Sequence, residues 1–377
     1  MLRAARDRVF AIADRLVLLT LPRTPCRGIA VILPHGLGDI VLFTEALRHL
    51  RAHYRGQPIV LICSRRALAY AEAYLTPERT ITFDRDRMRR DLWYRMRIVC
   101  VVARAGVRVA IQPVYNRVHW VEDALVRASR AEERIGSSGT STFITARERA
   151  RGDGWYTRLI EEPAGPMHDA ERNAAFVAAL TDSAPPRLLP RLACPPWHPD
   201  APIGGYIVAA CEASSALKTW PMERLVEASQ AIAARTGHVV VLVGETKPSQ
   251  PAARRGVVDL RGLTDVHGLI SVLAHARIVL SSDSAPAHLA AALGVPVVAV
   301  SGGGMPERFL PYPANGPAAG QPRLVVVDPP WPCFGCGWHC RYAPPRDAAA
   351  PCVTVITVAR VVDAALEVLR DSLIESS

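Results

Sequence analysis

At 377 residues, half of them hydrophobic and 21% charged, the chain is long for one core, comfortable for two, and too apolar to be disordered. Its formal charge of +10 should attract phosphates, anionic lipids or nucleic acid before any specific contact forms. No zinc-finger, helix-turn-helix or aromatic–basic pattern accompanies that charge, so no nucleic-acid partner is expected.

The chain opens with arginines interleaved with Val9, Phe10, Ile12, Leu16, Val17, Leu18 and Leu19, which predicts an amphipathic helix to about Leu21. Asp7, Asp14 and Arg15 interrupt the apolar run, so it does not read as a signal peptide. No stretch reaches the roughly 20 apolar residues of a membrane span. The expectation is a cytoplasmic protein whose first helix either packs on the body or rests on a membrane surface.

Ile29–Leu33 is a short apolar run ending in Pro34 and glycines, and helical spacing follows from Asp39 to about Arg51, which predicts a strand, a tight turn and a helix. Further strands are expected at Ile59–Cys63 and Val107–Gln112. The stretch from about Ser137 to Gly165 is mixed, polar and without a clear period. Between Ser183 and Pro202 the chain carries seven prolines in twenty residues, a density that neither helices nor central strands accept. A second series of strands follows at Tyr206–Ala210, Val239–Val243, Arg277–Leu280 and Val295–Val300. Alternating strands and helices predict parallel sheets. The fold class is therefore α/β, with two Rossmann-like domains whose strand ends are expected to line a cleft.

Three segments carry candidate chemistry. Ser281-Ser282-Asp283-Ser284-Ala285-Pro286-Ala287-His288 follows a strand and opens a helix. Pro286 suits the first turn, and the backbone N–H groups at Ser284 and Ala285 would seat a diphosphate. Ala213-Ser214-Ser215-Ala216-Leu217-Lys218-Thr219-Trp220-Pro221 follows the first strand of the second series, where Lys218 supplies a mobile cation for a phosphate leaving group. Pro34-His35-Gly36-Leu37-Gly38-Asp39 places a carboxylate at a helix start, where it can be a general base or a plain cap. Each segment alone has an equally simple structural reading.

Together, in this order, the three segments resemble the heptosyltransferases, glycosyltransferase family nine, as does Gly262-Leu263-Thr264 before a helix. The resemblance runs from about Gly28 to Val368. It implies the glycosyltransferase-B fold, with an acceptor-binding domain at 28–185, a proline-rich linker at 186–203, a nucleotide-sugar domain at 204–355 and a closing helix at 356–377, after an N-terminal helix at 1–27. It implies Asp39 as the base and Lys218, Asp283, Ser284, Ala285 and His288 at the donor diphosphate, with Thr264, Ser214 and Glu245 at other nucleotide-contacting positions. Ala285 departs from the family's usual glycine, and its methyl group narrows that seat. The implied reaction inverts the anomeric carbon, with ADP-heptose as donor, an anionic lipopolysaccharide-core glycolipid as acceptor, and no cofactor required for catalysis. A peripheral position on the cytoplasmic face of the inner membrane would suit such an acceptor. The rival readings are a nucleotide-sugar epimerase of related fold, or a non-catalytic nucleotide-sugar-binding protein.

Two clusters remain. Cys333, Cys336, Cys340 and Cys352 lie within twenty residues, in a segment taken as 331–352, and are a candidate structural zinc site, with reduced or linked cysteines as the alternative. Arg65, Arg66, Arg85, Arg87, Arg89, Arg90, Arg95 and Arg97 form a dense basic stretch, expected either to meet an anionic acceptor or to be a solvated face. Within it, Asp84-Arg85-Asp86 is read as surface charge rather than as a metal motif.

Overall fold

The computed structural model describes residues 2–22, 24–142, 144–163, 165, 167–249, 255–313, 323–325 and 330–374. Two compact units divide the chain: Met1–Gly165 with Arg172–Arg187, and Pro166–Glu171 with Leu188–Ser377.

The first unit holds a six-stranded parallel sheet of β1 (Ile29–Leu33), β2 (Ile59–Ser64), β3 (Arg79–Phe83), β4 (Val109–Gln112), β5 (Glu133–Ser137) and β6 (Arg158–Ile160), in the order β3-β2-β1-β4-β5-β6. Its helices are α1 (Leu2–Thr20), α2 (Leu37–His53), the single turn α3 (Leu68–Tyr70), α4 (Arg85–Arg90), α5 (Leu92–Ala103), α6 (Ala124–Ser129), α7 (Ala146–Asp153) and α8 (Asp169–Thr181), whose first three residues belong to the second unit. Ile29 pairs with both Ile59 and Val109. Every residue of β1 is buried, as a central parallel strand covered on both faces requires.

The second unit repeats the plan with β7 (Tyr206–Ala210), β8 (Val239–Val243), β9 (Val257–Asp259), β10 (Ala276–Ser282), β11 (Val297–Val300) and β12 (Arg323–Val325), in the order β12-β11-β10-β7-β8-β9. Its helices are α9 (Met222–Thr236), α10 (Val266–Ala274), α11 (Ala285–Ala292), α12 (Pro351–Thr354) and α13 (Val358–Ile374). The core around Ile207, Ala209, Leu242, Leu280, Val298 and Trp220 is closed by Val361, Val362 and Ala365 of α13.

In each unit the strand order reverses beside the first strand, between β1 and β4 and between β7 and β10. Loops leaving the carboxyl ends of the strands diverge at such a reversal and leave a crevice where α/β proteins bind ligands.

The first helix packs on α5. Phe10 and Ala13 are buried, and both oxygens of Asp14 accept from Arg95, at 2.8 Å from Nε and 2.6 Å from Nη2. Arg95 also donates to the Trp120 carbonyl at 2.7 Å. The basic stretch is therefore not one surface, because Arg95 is fully buried and works as an internal clamp. Asp84 caps α4 by accepting from the Arg87 backbone at 2.9 Å.

Candidate functional site

The residues that the resemblance assigns to the donor all follow strands of the second sheet. Ser214 and Lys218 follow β7, Glu245 follows β8, Thr264 follows β9, and Asp283, Ser284, Ala285 and His288 follow β10. All stand at the carboxyl edge of one sheet, and of them Lys218, Asp283 and His288 are brought into contact.

The Lys-x-Trp-Pro segment positions Lys218 through its tryptophan. Trp220 is 1% exposed, its indole donates to the Ile356 carbonyl at 3.2 Å, and its backbone N–H donates to Ser282 Oγ at 3.1 Å. That last bond ties the loop after β7 to the end of β10. Lys218 Nζ then lies 3.6 Å from Asp283 Oδ2 and over the rings of Phe309 and Trp338, at 5.1 and 5.8 Å from their centres. The aromatic faces and the carboxylate hold a side chain that would otherwise lose considerable rotamer freedom on binding an anion.

Asp283 lies between two groups, with His288 Nε2 4.0 Å from its Oδ1. His288 is buried and shares a 2.6 Å hydrogen bond through Nδ1 with the Tyr312 hydroxyl. A carboxylate cannot itself attract a diphosphate, so its physical role here is to orient Lys218 and His288. Ser284 is the N-cap of α11, yet its side chain makes no capping bond; its hydroxyl pairs with Ser281 Oγ at 3.0 Å instead. The helix start therefore keeps backbone donors for an anion.

Several participants escaped sequence reasoning. His168 is buried, Nε2 donates to the Phe309 carbonyl at 2.7 Å, and Nδ1 accepts from the Ala170 backbone at 3.1 Å. Both contacts together fix the neutral tautomer. Burial holds this imidazole below its ordinary pKa, against the opposing pull of the Phe309 carbonyl and Asp169. Arg308 binds Asp169 at 3.0 and 3.1 Å through Nε, so the turn before α8 is locked to the Arg308–Tyr312 loop. Glu212 accepts from the backbones of Glu245 and Thr246, each at 3.1 Å, joining the loops after β7 and β8. Gly262 has φ +68 and leaves no room for a Cβ, which would meet the Lys247 backbone at 2.7 Å; this close approach sets the position of Thr264. Of these, Gly262 belongs to a segment legible in the sequence, whereas His168 and Phe309 are 141 residues apart and share no local motif.

Cys333, Cys336, Cys340 and Cys352 line one apolar pocket with Trp331, Phe334, Trp338 and Tyr342. All four are free thiols, and burial pushes the Cys352 thiol up, with the three other sulfurs adding to the shift. Among the described residues no group of three or more Cys, His, Asp or Glu is arranged to hold a metal ion. The segment acts as a buttress. Gly335 and Gly337 donate to the carbonyls of Gly303 and Gly304, each at 2.7 Å, and the Trp338 ring lies against Gly304 while its face meets Lys218.

In the first unit, Asp39 lies in the first turn of α2, which follows β1 at the reversal of that sheet. The helix begins at Leu37 with Gly36 as its N-cap, and Asp39 Oδ2 accepts from the Gly36 N–H at 3.1 Å. The carboxylate is thus held by its own turn and half-buried. The fully buried Glu122 receives Arg85 at 3.1 and 3.2 Å, the Val118 N–H at 2.7 Å, and, from the turn before α2, His35 at 3.8 Å. Glu122 sits in a π-helical turn, His119–Asp123, that follows β4. Arg85 is therefore anchored from below, whereas Arg65, Arg66, Arg87, Arg89, Arg90 and Arg97 are exposed.

Residues 166–323 match the sequence family described as glycosyltransferase family 9 (heptosyltransferase). No curated protein sequence matches the chain. Among solved structures, Escherichia coli heptosyltransferase WaaC with ADP is similar at TM-score 0.64 and 19% identity, over 90% of this chain and 99% of that one. A family 9 glycosyltransferase from Veillonella parvula DSM 2008 is similar at 0.62 and 17%, over 93% and 99%. The E. coli ADP-heptose lps heptosyltransferase II is similar at 0.61 and 16%, over 92% and 99%. At these identities the likeness is one of fold, the glycosyltransferase-B fold. The match to glycosyltransferase family 9 (heptosyltransferase) lies mostly in the second unit, and the chain is a glycosyltransferase.

Proposed function

We propose that the chain transfers heptose from ADP-heptose, with inversion, to a hydroxyl of a lipopolysaccharide-core or related anionic glycan acceptor. The observation that carries the reading is the Lys218–Asp283–His288 cluster beside an uncapped helix start at the reversal of the second sheet. A cation with aromatic walls next to free backbone donors suits a diphosphate better than a neutral ligand.

In this reading Asp39 takes the proton of the acceptor hydroxyl as its oxygen bonds to the anomeric carbon. The bond from that carbon to the diphosphate oxygen breaks on the opposite face, and ADP departs with the electron pair. Lys218 and the start of α11 stabilise the charge that grows on the leaving diphosphate, an interaction stronger in the transition state than in the ground state. Thr264, Ser214 and Glu245 are assigned to the nucleoside side of the donor, and the chain is assigned to the cytoplasmic face of the inner membrane, where a glycolipid acceptor would be met. Product mass spectrometry with ADP-heptose, other nucleotide sugars and a Kdo-lipid A-type acceptor tests the reading. Transfer from ADP-heptose supports it. Conversion of the donor without acceptor would point to an epimerase.

A further inference from the structure

Helix α1 presents two opposite faces. On the inner one, Phe10 and Ala13 are buried and Asp14 is clamped by Arg95, while the Phe10 ring meets Trp120 edge-on at 6.2 Å. These contacts fix the helix and its rotation. On the outer one, Val9, Ile12, Leu16 and Leu19 are 48 to 70% exposed. Their spacing confines them to about 80° of arc and about 15 Å of helix length.

Trp93, at 79% exposure, lies on α5, the helix that carries α1. These five make up half of the large apolar side chains exposed among the described residues. A contiguous apolar stripe on an otherwise ordered helix is unusual for a surface facing only water.

The charge around the stripe is mainly positive. Arg8 and Arg15 are exposed on α1 beside Ile12 and Leu19, and Arg89, Arg90 and Arg97 are exposed on α4 and α5. Three of the nearby acids are engaged: Asp7 pairs with Arg6 at 3.1 Å, Asp14 is buried with Arg95, and Asp91 pairs with Arg87 at 3.1 Å, while Asp86 is exposed on α4. Burial lowers the Arg89 pKa and repulsion from Arg85 and Arg6 adds to the shift, although Asp86 and Glu122 oppose it.

We propose that the outer face of α1 is a docking surface for an anionic phospholipid bilayer, on which the helix lies flat with Val9, Ile12, Leu16 and Leu19 in the acyl boundary and Arg8 and Arg15 at the headgroups. Charge decides between occupants. A second copy would bring arginines against arginines on chains that each carry +10, whereas an anionic bilayer complements both the stripe and its flanks. The surface deepens the glycolipid-acceptor reading and rests on it only for its purpose, since vesicle binding is measured without any acceptor.

The test is co-sedimentation of the full chain with vesicles of phosphatidylglycerol and phosphatidylethanolamine, and with phosphatidylcholine alone, across a salt series. Wild type is expected to partition onto the anionic vesicles and to dissociate as salt rises. The Ile12→Glu/Leu16→Glu variant is expected to lose at least tenfold in partitioning, and Arg8→Glu/Arg15→Glu to lose affinity and most of the salt dependence. Both should keep the wild-type circular dichroism spectrum and ADP affinity. Absence of wild-type binding, or equal binding by Ile12→Glu/Leu16→Glu, overturns the proposal. So does a wild-type dimer in analytical ultracentrifugation that this variant dissociates. Loss of the heptosyl-transfer reading would show instead as failed ADP-heptose turnover with vesicle binding intact.

Discussion

The Lys218 ammonium stands 3.6 Å from the Asp283 carboxylate although the two residues leave the sheet from different strands, β7 and β10. Trp220 makes that meeting possible by anchoring one loop to Ser282 of the other strand. If this cation faces the donor diphosphate, Lys218→Ala should weaken ADP binding roughly 10- to 100-fold, the effect of losing a charge-assisted contact of about 1.5–3 kcal/mol. Titration calorimetry with ADP reads the change directly. Unaltered affinity would remove Lys218 from the site.

Asp39→Asn keeps the shape of the turn and its bond to Gly36 but removes the base. Turnover should fall about 10²- to 10⁴-fold, with ADP affinity unchanged. A steady-state assay paired with ADP titration separates these effects, and near-normal turnover would refute the role of Asp39.

The neutral His168 gives the second unit a pH dependence of definite sign. Its pKa is lowered in the folded chain, chiefly by burial, so the unfolded chain takes up the proton first. Its contribution to stability is complete above the ordinary imidazole value of about 6.5 and declines as pH falls through and below it. His168→Gln, which can still donate to Phe309 and accept from Ala170, should flatten that part of the profile. Thermal melts between pH 8 and 5 would show it, and identical slopes for the two proteins would exclude His168 as the source.

Arg95→Met leaves Asp14 buried without its partner, which should cost about 3–5 kcal/mol. Adding Asp14→Leu should recover much of that loss, because the stranded charge is then gone. Denaturant titration of the single and double variants checks the coupling; additive losses would mean that the two side chains act independently.

How far the sequence disclosed this architecture depended on burial. Central strands such as Ile29–Leu33, Tyr206–Ala210 and Val239–Val243 are continuous apolar runs and emerge with their observed bounds. The outer strands Arg79–Phe83, Glu133–Ser137, Arg158–Ile160 and Val257–Asp259 are shorter or carry polar and charged residues, so alternation or composition alone does not reveal them. Lys218 and Asp283 sit in recognisable segments, whereas His168, Arg308 and Tyr312 matter through partners far away in the chain. Arg95 shows the opposite failure. It sits among exposed arginines in sequence, but a period that points it inward makes it a core residue, and Asp14, 81 positions earlier, and the Trp120 carbonyl explain why.

Gly304→Ala tests the buttress formed by the cysteine-bearing segment. A Cβ there would stand 2.3 Å from the Trp338 ring, so the indole must move, and Lys218 loses one of its two aromatic walls. The expected outcome is a stability loss of about 1–3 kcal/mol from overpacking, together with weaker ADP binding. Calorimetry of unfolding and of ADP binding reports both, and a variant with normal affinity would show that Trp338 does not position Lys218.

The donor assignment is tested most directly by incubating the chain with ADP-heptose and a Kdo-lipid A-type acceptor, and following acceptor mass and released ADP together. The account predicts that the acceptor gains one heptose residue for each ADP released, and that Lys218→Ala slows both equally. Intact ADP-heptose after prolonged incubation with that acceptor, or donor consumption at the same rate without it, would contradict the account.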